Sequence, residues 1–434
     1  MTPHGHFRTG LGKGLVYLRI LVHVPCRYLR LLAWPPDYVR FLCRALRLLL
    51  VFRHNKVVRT ARGWKLHLYL PAYPSRAFFH ALESKLLRQP PGPTTVVYSM
   101  TKACSYSCPH CYQRHDHGPD LEEDLLLGTA RAVVDAGVAL FDIEGGEPLL
   151  RFPRLLALVR ALDARAEVWV NSSGAHLEDG MLDALREAGA CGFMVSIHAP
   201  DPARHDAFTG VPGSFAAACR LLRECRTHRL ATAINSVLSE DDVRGGGLER
   251  LMDLARDLDC DYVQLIHPKP AGQWLGRTTQ MQTDAAVIAG VRRAHVLYNG
   301  PARPDYPSLA AQVFEEAENV LGCTAGAVDR FYVNANGEVQ PCEFLNVSFG
   351  NVRTEGFGEI LARMRAFFPE PCLDWMCCTQ GPAIQAFMAR HGLTRTPVPW
   401  PLSRDLVSGW EHGRPTPIYQ RLGIYRSRRP SPGA

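Results

Sequence analysis

"TVVYSMTKACSYSCPHCYQ", residues 95–113, joins a β-branched run to three cysteines spaced C-x3-C-x2-C. Val96, Val97 and Tyr98 favour a buried strand, and the cysteines follow where that strand must end. The same rhythm repeats downstream. "VALFDIEGGEP" (138–148), "AEVWVNSSG" (166–174), "CGFMVSIH" (191–198), "LATAINSVL" (230–238) and "DYVQLIH" (261–267) all read as strands. Between them lie helical patterns such as "DLEEDLLLGTARAVVDAG" (120–137), with Asp120 as expected N-cap and Gly137 at its end. Six strands alternating with such helices predict an α/β fold with a parallel sheet, open or curled into a partial barrel.

In folds of this kind reactive groups gather at the C-terminal ends of the strands. The chemically unusual residues fall there: the cysteines after the first strand, Gly145, Gly146 and Glu147 after the second, and Asn171 with Ser172 after the third. Ser196 and His198 end the fourth, Asn235 lies in the fifth, and "HPKPAG" (267–272) follows the sixth. Three thiolates from Cys104, Cys108 and Cys111 suit three corners of a cubane [4Fe-4S] cluster and leave one iron open to an outside ligand. A closed zinc site with His110 or His115 as fourth ligand is the competing reading of the triplet alone. His198 reads as a hydrogen-bonded strand-end histidine, with a catalytic role as the alternative.

Beyond residue 300 the pattern changes. "DRFYVNANGEVQPCEF" (329–344) pairs two strand-like runs through Asn336-Gly337, a hairpin signal. Cys323 precedes it, Cys342 follows it, and Cys372, Cys377 and Cys378 come later. From about residue 381 the chain is rich in Pro and Arg and reads as loose cover or tail.

Upstream, charge is the informative feature. The net charge is +7, yet residues 1–65 hold thirteen Lys or Arg against one acid, Asp37, for +12, so the other 369 residues carry −5. Within "CRYLRLLAWPPDYVRFLCRALRLLLVFRHNK" (26–56), Arg40, Arg44 and Arg47 share one helical face and apolar residues cover other directions. Charges interrupt every apolar run, so a bilayer-crossing helix is not expected. Lying on an anionic membrane surface and packing as an ordinary helical pair are the two open readings. Nucleic acid is disfavoured, because no stacking aromatics interleave with the basic residues in a groove-like pattern. "GWKLHLYLPAYP" (63–74) reads as a short strand ending at Pro71, and "RQPPGPTT" (88–95) marks a boundary.

The fourteen cysteines do not form the dense framework of a small secreted domain, and no signal-peptide pattern opens the chain. A cytoplasmic protein, with peripheral membrane attachment as an option, is the expected setting. The boundaries divide the chain into a basic N-terminal region (1–93), a barrel region (94–300), an auxiliary-cluster region (301–380) and a tail (381–434).

The triplet, "GGEP" one strand later and the polar strand ends together resemble the radical S-adenosylmethionine (radical SAM) superfamily over about residues 95–270. The resemblance implies a partial (β/α)6 TIM-like barrel with a basic helical N-terminal extension and a small cysteine-rich hairpin domain. It implies that Cys104, Cys108 and Cys111 hold a [4Fe-4S] cluster, with His110 in the position before the last cysteine where the family favours an aromatic residue. Gly145, Gly146 and Glu147 would meet the methionine end of SAM, Glu147 accepting from its ammonium. Asn171, Ser172 and Ser196 would meet the ribose and carboxylate, with Arg204 a further candidate for the carboxylate.

The chemistry implied is one-electron cleavage of SAM to a 5′-deoxyadenosyl radical, which takes hydrogen from an unactivated carbon. Cys323, Gly337 and Cys342 in C-x13-G-x4-C resemble the opening of SPASM and Twitch extensions. Five cysteines there suit one auxiliary [4Fe-4S] cluster, held by Cys323, Cys342, Cys372 and either Cys377 or Cys378, with a zinc clip as the alternative. Such extensions imply a peptide or protein substrate; a membrane lipid or lipid-linked molecule is the alternative, and a non-catalytic metal-binding or electron-transfer protein a third. A one-electron reductant such as a flavodoxin or ferredoxin is the implied partner.

Overall fold

The computed structural model describes residues 6–116, 118–277, 283–411 and 416–425. The chain opens with β1 (Phe7–Arg8), α1 (Gly10–Arg27), α2 (Pro35–Val51), β2 (Val57–Thr60), β3 (Gly63–Lys65) and α3 (Arg76–Leu86). β1, β2 and β3 form a small antiparallel sheet. The strand expected to run to Pro71 stops at Lys65, where the chain turns toward the large sheet. There the Lys65 ammonium, buried, lies 2.5 Å from Glu167 and 2.9 Å from the Leu70 carbonyl.

The six expected strands form at their expected places: β4 (Thr95–Ser99), β5 (Leu140–Glu144), β6 (Glu167–Ser172), β7 (Ala190–Ser196), β8 (Ala231–Val237) and β9 (Tyr262–Ile266). All are parallel neighbours in sequence order. The intervening helices are α4 (Glu123–Asp135), α5 (Phe152–Ala161), α6 (Met181–Ala188), α7 (Pro202–Thr209), α8 (Ser214–Thr227), α9 (Glu240–Arg244) and α10 (Gly247–Asp257), followed by α11 (Ala285–Asn299). α4 starts two residues later than its acidic run suggests, with Glu122 at the N-cap. Asp120 instead accepts from Lys102 N–H at 3.0 Å and Thr101 Oγ1 at 2.6 Å, anchoring the start of the cysteine loop.

Strand alternation divides the core. Phe141, Ile143, Val168, Val170, Phe193 and Val195 face the helices in the main cluster. Leu140, Trp169, Met194, Ala233 and Tyr262 point the other way and pack with Phe7, Val58 and Leu68 of the N-terminal region. The N-terminal sheet thus plugs one end of the curled sheet.

Two features extend the sheet beyond six strands. β10 (Ser308–Ala311) pairs in parallel with β9 and leads into α12 (Gln312–Glu315). β11 (Arg330–Val333) pairs in parallel with β4, and β12 (Val339–Gln340) returns antiparallel to β11 through the expected Asn336-Gly337 turn, Gly337 at φ +94°. The result is a nine-stranded sheet, β10-β9-β8-β7-β6-β5-β4-β11-β12. The cysteine-rich hairpin expected as a small separate domain is therefore hydrogen-bonded to the barrel strand that carries the triplet.

The stretch expected as a loose tail is largely structured. After α13 (Phe357–Phe367) come α14 (Met376–Arg390), α15 (Leu402–Val407) and α16 (Pro417–Leu422). Buried Ile384, Phe387, Met388 and Val407 join the main core, and Tyr419 and Leu422 pack under α2, which is why this Pro-rich segment orders. Residues 412–415 and 426–434 of that expected tail lie outside the described residues. Among the described residues, no helix is long and apolar enough to cross a membrane.

Candidate active site

The cysteine loop is held backbone to backbone against the loop after β5. Gly146 N–H donates to the Thr101 carbonyl at 2.7 Å and Glu147 N–H to the Ala103 carbonyl at 2.8 Å. A Cβ on Gly146 would stand 2.2 Å from the Ala103 oxygen, and one on Gly145 2.6 Å from the Thr101 oxygen. The close approach that the two glycines permit is to the cysteine loop itself.

Cys104, Cys108 and Cys111 line one cavity of about 460 Å³ with Glu144, Asn171, Ser172, Ser196 and Asn235. Burial first, and then the neighbouring Cys111 and Cys104, push the Cys108 thiol up to about 12. Cys111 is raised to about 11, first by burial. Three thiols that oppose one another's ionisation at a cavity wall need positive charge to become thiolates, which an iron–sulfur cluster provides. Three thiol donors on one cavity wall are the donor set that a cubane cluster with one open iron takes. Tyr106 N–H already donates to Cys104 Sγ at 3.3 Å.

The polar strand ends also fit a polar ligand. Asn171 Oδ1, Asn235 Oδ1, His110 Nδ1 and Lys269 Nζ are buried without a hydrogen-bond partner, and their residues line this cavity. Buried unpaired polar atoms are costly and mark where a ligand's complementary groups belong. Asn171 Nδ2 meanwhile lies 3.4 Å from Asp142 and 3.3 Å from Glu144. Burial, reinforced by the Glu343 charge, raises both of these acids well above the carboxylate range. Tyr106 and Tyr112 line the cavity, and the Tyr112 ring centre lies 5.7 Å from that of Phe344 of the C-terminal region.

Two residues expected to contact SAM are engaged by protein partners. Glu147 is 1% exposed and does not line the cavity. One oxygen accepts from Ser172 Oγ at 2.8 Å and Leu149 N–H at 3.0 Å, the other from Ser173 N–H at 2.8 Å and Ser173 Oγ at 2.5 Å. Its acceptor capacity goes to fastening β5 to β6, and this also turns the Ser172 hydroxyl toward Glu147. Arg204 stands on the outside of α7, paired with Asp242 and 60% exposed, and is absent from the cavity wall.

His110 does line the cavity, with His198 at 4.4 Å, Phe208 at 5.0 Å and Trp274 at 5.8 Å between ring centres. Burial lowers it to about 4, so it is neutral at pH 7. His198 Nδ1 accepts from Val237 N–H at 3.3 Å, the hydrogen-bonded strand-end role.

A second cysteine group lies on the C-terminal side of this cavity. Cys323 and Cys372 face each other in an antiparallel bridge, their backbones exchanging bonds of 2.7 and 3.3 Å. A hydrogen bond from Cys372 holds the Cys323 thiol down, while Cys372 is raised. Cys323, Cys342 and Cys377 line a small cavity with Glu316, Arg330 and Trp375. Cys372 and Cys378 are not in that wall: Cys372 is held beside Cys323 by the bridge, and of the adjacent pair at the start of α14 Cys377 is the one turned inward.

Lys269 lines both cavities, its Nζ 2.8 Å from the Trp375 ring centre. Lys269 lies in the strand-end stretch 267–272 already singled out, whereas Trp274, the cavity-lining Glu144 and Asp142 behind Asn171 were missed by sequence reasoning. The i, i+2 acids of "LFDIE" were the available signal for the last pair. Of the cysteines outside the two groups, Cys219, Cys225 and Cys260 are in the core, whereas Cys191 is half-buried.

Comparison with known proteins agrees with this geometry. Residues 98–242 match the Radical SAM superfamily and residues 323–378 an iron-sulfur cluster-binding domain, SPASM. The AdoMet-dependent heme synthase of Nitratidesulfovibrio vulgaris is 22% identical over 63% of this chain and 79% of its own length. The Fe-coproporphyrin III synthase of Methanosarcina barkeri is 28% identical over 61% of this chain and 72% of its own. The PqqA peptide cyclase of Gluconobacter oxydans is 25% identical over 67% of this chain and 86% of its own. Among solved structures, Streptococcus suis SuiB bound to precursor peptide SuiA superposes with a TM-score of 0.50 at 14% identity. That match covers 62% of this chain and 64% of SuiB, and it supports the fold.

Proposed function

We propose, from the premise that the chain is a radical SAM enzyme with a C-terminal SPASM iron–sulfur region, that it modifies a side chain of a peptide or protein. Cys104, Cys108 and Cys111 would hold a [4Fe-4S] cluster, which with SAM would supply the one-electron chemistry for removing hydrogen from an unactivated carbon. The residues present perform the supporting work. The Gly146 and Glu147 backbone bonds hold the cysteine loop in register with β5. Asn171 and Asn235 offer unpaired oxygens to bound polar groups. His110 and Trp274 line the cavity as neutral aromatic rings, with Phe208 packed behind His110, and would limit water at the reacting atoms.

What supports the substrate class is the likeness to the PqqA peptide cyclases, 25% identical over 67% of this chain. The catalytic cavity, about 460 Å³, lies within the roughly 300–1,000 Å³ of ligand sites and would take SAM with a side chain of a peptide at its mouth. Cys323, Cys342, Cys372 and Cys377 would hold one auxiliary cluster beside the substrate cavity, and a flavodoxin or ferredoxin would deliver single electrons. A lipid or lipid-linked substrate is the second reading, favoured by the exposed apolar and basic surface of α1 and α2.

Anaerobic reconstitution with dithionite and SAM tests the chemistry. The whole chain should form 5′-deoxyadenosine, and Cys104→Ala/Cys108→Ala/Cys111→Ala should form none while retaining auxiliary iron. For the substrate class, deuterated peptide and lipid fractions are supplied separately. Deuterium should reach 5′-deoxyadenosine from the peptide fraction, and transfer from the lipid fraction alone would overturn the peptide reading.

A further inference from the structure

Exposed large apolar side chains are concentrated in one place. Of fourteen among the described residues, eleven lie between Leu11 and Leu50. On α1, Leu11, Leu15, Leu18 and Val22 recur at i, i+4, i+7 and i+11, a single stripe open to solvent, with Leu11 92% exposed. The opposite stripe, Val16, Ile20 and Val24, is buried against the N-terminal core. α2 repeats the design: Phe41, Ala45 and Leu49 face the same core while Val39, Leu46 and Leu50 stand exposed. Trp34, between the helices, is 73% exposed. A surface helix normally turns polar residues outward, so helices apolar on both faces call for a second apolar neighbour.

The charges say which neighbour. Arg19, Arg27, Arg30, Arg40 and Arg47 are exposed around these stripes, and Asp37 is the one acid among residues 6–56. A second copy of the chain would bring two strongly basic surfaces together, which like-charge repulsion opposes. An anionic bilayer offers both an apolar interior and negative headgroups. The helices, 18 and 17 residues long, cover about 27 and 25 Å.

We infer that α1 and α2 are an interfacial anchor that lays the enzyme flat on an anionic membrane, with the leucine stripes among the acyl chains and the arginines among the headgroups. The anchored element also reaches toward the reaction site. Leu48 of α2 and the adjoining Phe52 line a second cavity together with Ile266 and Phe344, and those two residues also line the catalytic cavity. The anchor does not depend on the substrate class, since a membrane-held peptide and a lipid would both be met there.

The test is co-sedimentation of the reconstituted full chain with phosphatidylcholine vesicles, with and without phosphatidylserine. Binding should be at least about tenfold stronger with phosphatidylserine and should fall at high salt. Leu15→Glu/Leu18→Glu/Leu46→Glu, at positions already in solvent, should lose binding by about tenfold or more while keeping cluster content and SAM cleavage. Arg19→Glu/Arg30→Glu should lose the phosphatidylserine preference. Absence of vesicle binding by the intact chain would overturn the anchor. So would a dimer in sedimentation velocity that is abolished by the leucine variant, which would assign the face to a second copy.

Discussion

Glu147 separates two roles for the second motif, cofactor contact and internal fastener. Its carboxylate serves four donors: the Ser172 and Ser173 hydroxyls and the Leu149 and Ser173 backbone N–H groups. Glu147→Ala leaves both N–H groups without this acceptor, at about 1–3 kcal/mol each, and frees two hydroxyls that cost less because they can rotate. The sum, about 3–6 kcal/mol, is a large part of the roughly 5–15 kcal/mol that stabilises a typical fold. Glu147→Gln keeps the shape and one acceptor oxygen, but its amide nitrogen must face two donors, costing about 1–3 kcal/mol. Denaturant unfolding of anaerobic holoprotein should rank wild type above Glu147→Gln above Glu147→Ala. Equilibrium dialysis should find SAM affinity in Glu147→Gln within a few fold of wild type, because the carboxylate is not in the cavity wall. Unchanged stability with SAM affinity lowered tenfold or more would refute the fastener and restore the ammonium contact.

Further outcomes follow from the same geometry. Cys377→Ala should remove the auxiliary cluster while Cys378→Ala retains it, as read by iron and sulfide content in chains already lacking the catalytic triplet. Lys269→Met removes the buried ammonium shared by the two cavities. It should lower the reduction potential of the auxiliary cluster by on the order of 50 mV, equivalent to about 1 kcal/mol for one electron. An unchanged potential in an EPR-monitored redox titration would remove Lys269 from that role. Arg204→Ala, on an exposed and paired side chain, should leave SAM affinity within about threefold and stability within about 1 kcal/mol. A loss of SAM binding beyond tenfold would place the guanidinium at the cofactor after all.

The strands and the triplet were legible because both are local signals. "TVVYS" and its five counterparts are short apolar runs closed by turn chemistry, and each formed where the pattern put it. Asn171, Ser196 and the cysteines share a cavity because strand ends in a parallel sheet share a mouth. Glu147 and Arg204, expected at SAM, are engaged by protein partners, because sequence shows that a charged side chain sits near a site but not which partners will reach it first. Ser172, Ser173 and Leu149 come from the next strand and the following turn to claim Glu147. Asp242, 38 residues away, claims Arg204.

Sequence by itself determined the parallel strand–helix alternation, the donor chemistry of the triplet and the concentration of positive charge in the first 65 residues, since these depend on composition and short periodicity. Tertiary structure decided that β11 joins the triplet's own strand, that Cys377 rather than Cys378 faces the second cavity, and that the leucines of α1 and α2 remain in solvent. Those outcomes depend on pairings across hundreds of residues. An apolar helix reads the same in sequence whether a core covers one of its faces or both.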